Sequence, residues 1–132
     1  MIPEPNSKDL INLRIEQAYQ TISDAEFLIN NDKFRAAVNR IYYGMFYMML
    51  ALGLKYKFET SKHLQLIGWF NKQFIHAGKI DVKFGRMMKD AFKERQKSDY
   101  EILVSYTKEQ VIEMLIDMKA FITEVEKFIN AK

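Results

Sequence analysis

Arg95 and Asp99 stand four residues apart in a stretch that reads as helix, so they share a face and can pair. Arg95 also falls about 20° from Phe84 around that helix, on the stripe that carries Met88 and Ala91. An arginine turned inward is costly unless something satisfies it. It is either one half of a plain intrahelical pair or a guanidinium held in a cleft, able to grip a phosphate or carboxylate bidentately. His63 aligns with Ile67, Phe70 and Phe74 at helical spacing and also faces inward. It sits in the first turn of its helix, where the dipole disfavours the protonated ring. It reads as a hydrogen-bonded core histidine or as a proton-transfer group. Arg40 and Tyr43 are neighbours at i, i+3, with Tyr47 continuing the row. Tyr42 reads as core, whereas Arg40 beside Tyr43 is harder to explain by packing alone.

Between Lys79 and Lys97 there are seven basic residues (Lys79, Lys83, Arg86, Lys89, Lys93, Arg95 and Lys97) and three acids (Asp81, Asp90 and Glu94). Seven minus three is +4, more than the +3 of the whole chain. The segment is either a solvated helix face or an electrostatic footprint for RNA or another polyanion. Other chemistries are excluded or unsupported. The chain has no cysteine, which removes disulfides, thiolate metal sites and cysteine nucleophiles. His63 and His76 are the only histidines and no ligand-spaced acidic pair accompanies them, so no metal is expected. The five glycines are scattered, so no phosphate loop is readable, and no cofactor is expected.

The elements that must position these residues are helices. With 132 residues, 48% hydrophobic and 28% charged, the chain reads as a single domain over residues 1–132 with one real core. Both prolines, Pro3 and Pro5, lie in the first five residues, so nothing from Asn6 onward is forced to break a helix. The first helix is predicted from about Ser7 to Asn30, capped by Asn6 or Ser7, with Asp9 in its first turn. The Asn30-Asn31-Asp32 cluster is expected to stop it and to cap the second, from about Lys33 to Leu54. That second helix is apolar nearly all round, so it is either the centre of a bundle or half of an oligomer interface. The third is predicted from about Ser61 to Ala77, ending at Gly78, and the fourth from near Asp81 to about Lys97. Ser98 to Tyr106 breaks the pattern as a loop or an irregular turn. A strand at Glu101 to Val104 is the competing reading, discounted because it has no partner. Thr107 with Gln110 forms a capping box for the last helix. The predicted fold is all-α, an up-and-down bundle of about five helices. No run approaches the roughly 20 apolar residues that span a bilayer, and MIPEPNSKD is not a signal peptide, so no membrane role and a cytoplasmic location are expected.

Taken together these residues resemble the HEPN family (higher eukaryotes and prokaryotes nucleotide-binding domains), and the match is closest to its small bacterial and archaeal single-domain branch. The resemblance is carried by Ala36-Ala37-Val38-Asn39-Arg40-Ile41-Tyr42-Tyr43-Gly44-Met45-Phe46, by Ser61-Lys62-His63, by Phe70-Asn71-Lys72-Gln73-Phe74 running into Gly78-Lys79-Ile80, and by Arg95-Gln96-Lys97-Ser98-Asp99-Tyr100. It implies a helical bundle that forms a homodimer with a polar cleft at or near the interface. It also implies genetic pairing with a minimal nucleotidyltransferase, in some relatives as toxin and antitoxin with the HEPN partner acting as a metal-independent ribonuclease.

The sequence departs from the ribonuclease pattern, in which an arginine is followed after four to six residues by a histidine. None of Arg14, Arg35, Arg40, Arg86 and Arg95 has one at that distance, and Asp99 then Tyr100 follow Arg95 instead. His63 can act with Arg95 only if folding brings them together. A tyrosine modified by the nucleotidyltransferase in some relatives points to Tyr100. Gly44 stands where relatives often have alanine, costs about 1 kcal/mol of helix propensity, and implies close backbone packing. The expected cleft holds Asn39, Arg40, Tyr43, Lys62, His63, Arg95, Asp99 and Tyr100. In the leading expectation the protein binds a nucleotide or RNA phosphate, or docks a nucleotidyltransferase, with Arg95 on the phosphate. The rivals are a toxin ribonuclease using Arg95 and His63, and a purely structural dimeric adaptor.

Overall fold

The computed structural model describes residues 7–131. Five α-helices follow one another: α1 (Ser7–Asn30), α2 (Phe34–Lys55), α3 (His63–Phe70), α4 (Val82–Tyr100) and α5 (Lys108–Ile129). There is no strand among the described residues, so Glu101 to Val104 is loop. The proposed Asn6 cap lies outside the described residues. Of the two roles open to α2, the central one is observed, because it packs against each of the other four helices. Val38, Ile41, Met45, Met48, Met49 and Leu52 on its inner face are essentially inaccessible to solvent. Tyr42 joins them as fully buried core.

Gly44 is where α2 comes closest to its neighbours. A Cβ added there would collide with the methyl of Met118 on α5 and with Oγ1 of Thr21 on α1. Thr21 is itself buried and settles its hydroxyl on the Ala18 carbonyl of its own helix at 2.6 Å. The missing side chain is therefore what lets three helices share one layer, which repays the propensity lost to glycine.

Two local expectations need correction. The Asn30-Asn31-Asp32 cluster ends α1 but does not cap α2. Asn31 Nδ2 turns back to the Phe27 carbonyl at 2.8 Å, and Asp32 takes a φ of 57° to reverse the chain. Lys33 then falls in the cap position of α2 and supplies no side-chain bond. The third helix is not α-helical to Ala77 either. It starts at His63 and passes after Phe70 into a π-helical turn, Asn71–Ile75. That wider turn sets Asn71 and Ile75 against Gly85 of α4. A Cβ on Gly85 would lie 3.3 Å from Ile75 Cγ1 and 3.4 Å from Asn71 Oδ1. Gly78, with a φ of 75°, then turns the chain out, as expected of its type.

The remaining punctuation follows the sequence closely. Asp81 caps α4 by accepting from the Lys83 amide at 2.9 Å. Thr107 and Gln110 make the reciprocal capping box of α5. α4 runs three residues past Lys97, to Tyr100, so the break is confined to the connection between α4 and α5. Arg35 pins that connection by donating to the carbonyls of Glu101 and Val104, and the Tyr106 hydroxyl donates to the Glu94 carbonyl at 3.1 Å. No helix among the described residues is long and apolar enough to cross a membrane.

Candidate functional site

The extension of α4 to Tyr100 keeps Arg95 and Asp99 on one helical face, where Arg95 Nε lies 2.9 Å from Asp99 Oδ2. The nitrogen is buried, yet its N–H makes no well-aligned hydrogen bond, so the contact is an ion pair rather than a fork. Arg95 reaches across to α2 as well. One terminal nitrogen, Nη2, donates to the Tyr43 hydroxyl at 3.0 Å, and the guanidinium carbon sits 5.6 Å from the centre of the Tyr42 ring and 5.3 Å from that of Tyr43. Aromatic faces of this kind hold a cation without consuming its hydrogen-bond donors. Nη1 has no partner among the described residues and is free to donate.

On the other side, Asn39 Nδ2 donates to both Asp99 carboxylate oxygens at 3.3 and 3.4 Å. Its Oδ1 accepts from Arg40 Nε at 3.1 Å and from Arg40 Nη2 at 2.7 Å. Arg40 in turn lies over the Tyr43 ring at 5.1 Å. Arg40, Asn39, Asp99, Arg95 and Tyr43 thus close a circuit between α2 and α4, which explains why Arg40 accompanies Tyr43. Both arginines are partly buried, Arg95 paired with the Asp99 carboxylate and Arg40 joined to it only through Asn39. Asn39, Arg40 and Asp99 face a groove of about 930 Å³ whose walls also carry Lys33, Arg35, Ser98 and Tyr106, while Arg95, Tyr43 and His63 stand behind them and do not line it.

His63, the first residue of α3, completes the cluster. Its ring stacks on Phe46 at 4.1 Å, and its Nδ1 lies 2.6 Å from the Tyr42 hydroxyl. Tyr42 is fully buried, so its hydroxyl cannot reach water, and His63 is its one hydrogen-bond partner among the described residues. A buried hydroxyl left without an acceptor is costly, so the Tyr42 O–H donates and His63 Nδ1 accepts. Two effects keep both groups neutral. Burial pushes the Tyr42 phenol well above its ordinary range. Burial, and then the positive charge of Arg95, hold His63 below 6.5. A neutral imidazole that accepts at Nδ1 carries its proton on Nε2. His63 therefore presents an N–H beside a guanidinium, and both are donors suited to an anion.

Of the residues expected in the cleft, the structure brings Asn39, Arg40, Tyr43, His63, Arg95 and Asp99 together. Lys62 is exposed at the cap of α3, where its backbone N–H donates to Thr60 Oγ1 at 3.2 Å. Tyr100 ends α4, is 76% exposed, and makes no hydrogen bond or ring contact with the cluster. Sequence reasoning missed Phe46 as the platform under His63 and the hydroxyl of Tyr42 as its orienter. The spacing of Tyr42 and Phe46, four residues apart on one face, was the available signal. Among the described residues no group of three or more His, Cys, Asp or Glu could hold a metal.

A family model described as the HEPN domain matches residues 11–128. A UPF0332 protein of Thermotoga maritima is 34% identical over 114 residues, 86% of each chain. A protein of Methanocaldococcus jannaschii named as a candidate toxin is 31% identical over 118 residues, 89% of this chain and 80% of its own. A second candidate toxin of that organism is 29% identical over 120 residues, 91% of this chain and 89% of its own.

Proposed function

Since the chain belongs to the HEPN family, we propose that it is a phosphate-binding member of a toxin–antitoxin-like pair, which takes a nucleotide or an RNA phosphate in the α2–α3–α4 cluster. One observation carries the reading. Arg95 Nη1 and His63 Nε2–H are left as donors on groups that flank the same two rings, while Arg95 Nη2 and His63 Nδ1 are engaged by the Tyr43 and Tyr42 hydroxyls. A phosphate oxygen accepts from both. Asp99, Asn39 and Tyr43 act through Arg95 by fixing where the guanidinium points, and Arg40 adds positive charge at the mouth of the groove.

Two relatives named as candidate toxins support the toxin–antitoxin setting. In this reading the protein is a cytoplasmic homodimer that works beside a minimal nucleotidyltransferase. Tyr100, Ile102 and Leu103 support an assembly, since the end of α4 and the connection anchored by Arg35 and Tyr106 hold them 76, 91 and 95% exposed.

Binding of fluorescein-labelled oligouridylate and of ATP tests the reading directly. The wild type is expected to bind, with loss of at least about tenfold in Arg95→Ala, or about 1.4 kcal/mol. Unchanged affinity in that variant overturns the site. A second reading, RNA cleavage by Arg95 and His63, is favoured by the fold setting both against the same two rings, Tyr42 and Tyr43. The tautomer argues for binding instead, because an Nε2 that already holds a proton cannot act as the general base. The labelled RNA should therefore stay intact while bound. Cleavage that disappears in both Arg95→Ala and His63→Ala would reassign the protein as a ribonuclease.

A further inference from the structure

The basic surplus of α4 is not used by the phosphate cluster, apart from Arg95. The structure shows how its charges are sorted. Asp90 and Glu94 turn toward α5, where they share a small recess with Asp117 and three methionines, Met45, Met87 and Met114. Burial, and then the neighbouring Glu113 and Asp90, push the Asp117 carboxyl up, as expected where acids are crowded. On the outward face, Arg86, Lys89 and Lys93 follow each other at i, i+3, i+7, all exposed and without an acidic partner among the described residues.

Beside that row lies a groove of about 420 Å³ between α3 and α4. Its walls are part aliphatic and part polar, with Asn71 and His76 among the lining residues. Leu64 and Val82 are 70% and 54% exposed, and Ile67 and Ile75 line the inside. The π-helical turn shapes one wall by bringing Asn71 and Ile75 onto the bare backbone of Gly85. Such a turn interrupts regular packing and recurs where a helix has a task beyond packing. Aliphatic side chains that stand in solvent beside three unpaired cations are costly for a face meant only to meet water.

We infer that the α3–α4 groove is a docking surface for an acidic amphipathic helix of a protein partner. The apolar anchors of that helix would fill the space between Leu64, Ile67 and Val82, and its carboxylates would meet Arg86, Lys89 and Lys93. Charge complementarity decides the sign of the partner, and the aliphatic walls decide its class. RNA bound to the same row would want rings to stack on; the ring of Phe92 is packed on Tyr42, 5.8 Å between centres, and the exposed imidazole of His76 is a small platform beside four aliphatic side chains, which favours a protein partner. The groove shares no residue with the Arg95 cluster, so the two sites stand or fall separately.

The experiment is fluorescence anisotropy with a labelled helix-forming peptide of about 18 residues, long enough to be helical when bound. It carries leucines at i, i+3, i+4 and i+7 with glutamates on the flanks. The controls are a scrambled peptide of the same composition, a version with lysine for glutamate, and labelled oligouridylate. The patterned acidic peptide is expected to bind at least about tenfold more tightly than the scrambled one. Leu64→Asp is expected to remove about tenfold, as is the double variant Arg86→Glu with Lys89→Glu. The double variant should gain the lysine peptide. Arg95→Ala should bind the acidic peptide as the wild type does. All the altered positions in the groove are exposed, and a thermal melt checks that each variant folds. Equal binding of scrambled and patterned peptides overturns the proposal, as does indifference to both groove variants. Loss of oligouridylate rather than peptide binding in those variants would make this face a nucleic-acid surface and overturn it too.

Discussion

The two sides of α2 are built from the same helix and solve opposite problems. Its inner side meets α1 and α5 through Val38, Ile41, Gly44, Met45, Met48 and Leu52, with no polar side chain of its own and no room left for a Cβ at Gly44. Its other edge meets α3 and α4 through Asn39, Arg40, Tyr43 and Phe46, in a network of hydrogen bonds, ring stacking and one shared carboxylate. The first side is specified by volume and the second by direction. Volume errors cannot relax in a close-packed interior. Directional contacts at a half-open edge can exchange with water, so each counts for less in stability and for more in what is presented to a ligand.

If that contrast is right, Gly44→Val should have the largest effect on the fold. Overpacking against Thr21 and Met118 should cost about 3 kcal/mol, read as a lower denaturant midpoint. A cost under about 1 kcal/mol would mean that the three-helix layer is looser than its geometry.

A smaller effect should come from pH. The folded protein holds His63 below 6.5, so between that lowered value and 6.5 the unfolded chain binds more protons than the folded one. This part of the stability is complete above 6.5 and is lost as pH falls through the folded value. His63→Gln should flatten the melting temperature across that window, whereas an unchanged slope would show that another group causes it. The nitrogen shifts of the His63 ring should also report a proton on Nε2 above 6.5, and a proton on Nδ1 would undo the donor assignment.

The smallest effect is expected from Asp99→Asn. The Arg95–Asp99 pair is partly exposed, so its loss should change stability by less than about 1 kcal/mol. It should nevertheless loosen the guanidinium and weaken phosphate binding in the titration used for Arg95→Ala. A large loss of stability with unchanged binding would reverse the roles given to the two sides of α2.

Much of this was legible in the sequence. Five helices, the capping box at Thr107 and Gln110, the turn at Gly78, the all-round apolar character of α2 and the inward setting of Arg95 and His63 all follow from patterns among residues a few positions apart, whereas the choice of a central place for α2 needed the packing. The capping role given to the Asn30-Asn31-Asp32 cluster failed because Asp32 turns left-handed and the cap position falls on Lys33. The plain third helix failed because its wide turn answers to Gly85 on another helix.

By itself, then, the sequence determined which helices form, which face of each is apolar, and which side chains could do chemistry, because helical periodicity is a local property. The tertiary structure decided which of those side chains meet. Tyr42 finds His63 across 21 residues, and Arg95 finds Tyr43 across 52. Such contacts depend on how far each helix is rotated and shifted against its neighbour, and a change of part of a turn would separate them. No local pattern fixes those quantities. The same packing sorted the charges of α4, giving a nearly neutral chain one acidic edge against α5 and a basic row beside an open aliphatic groove.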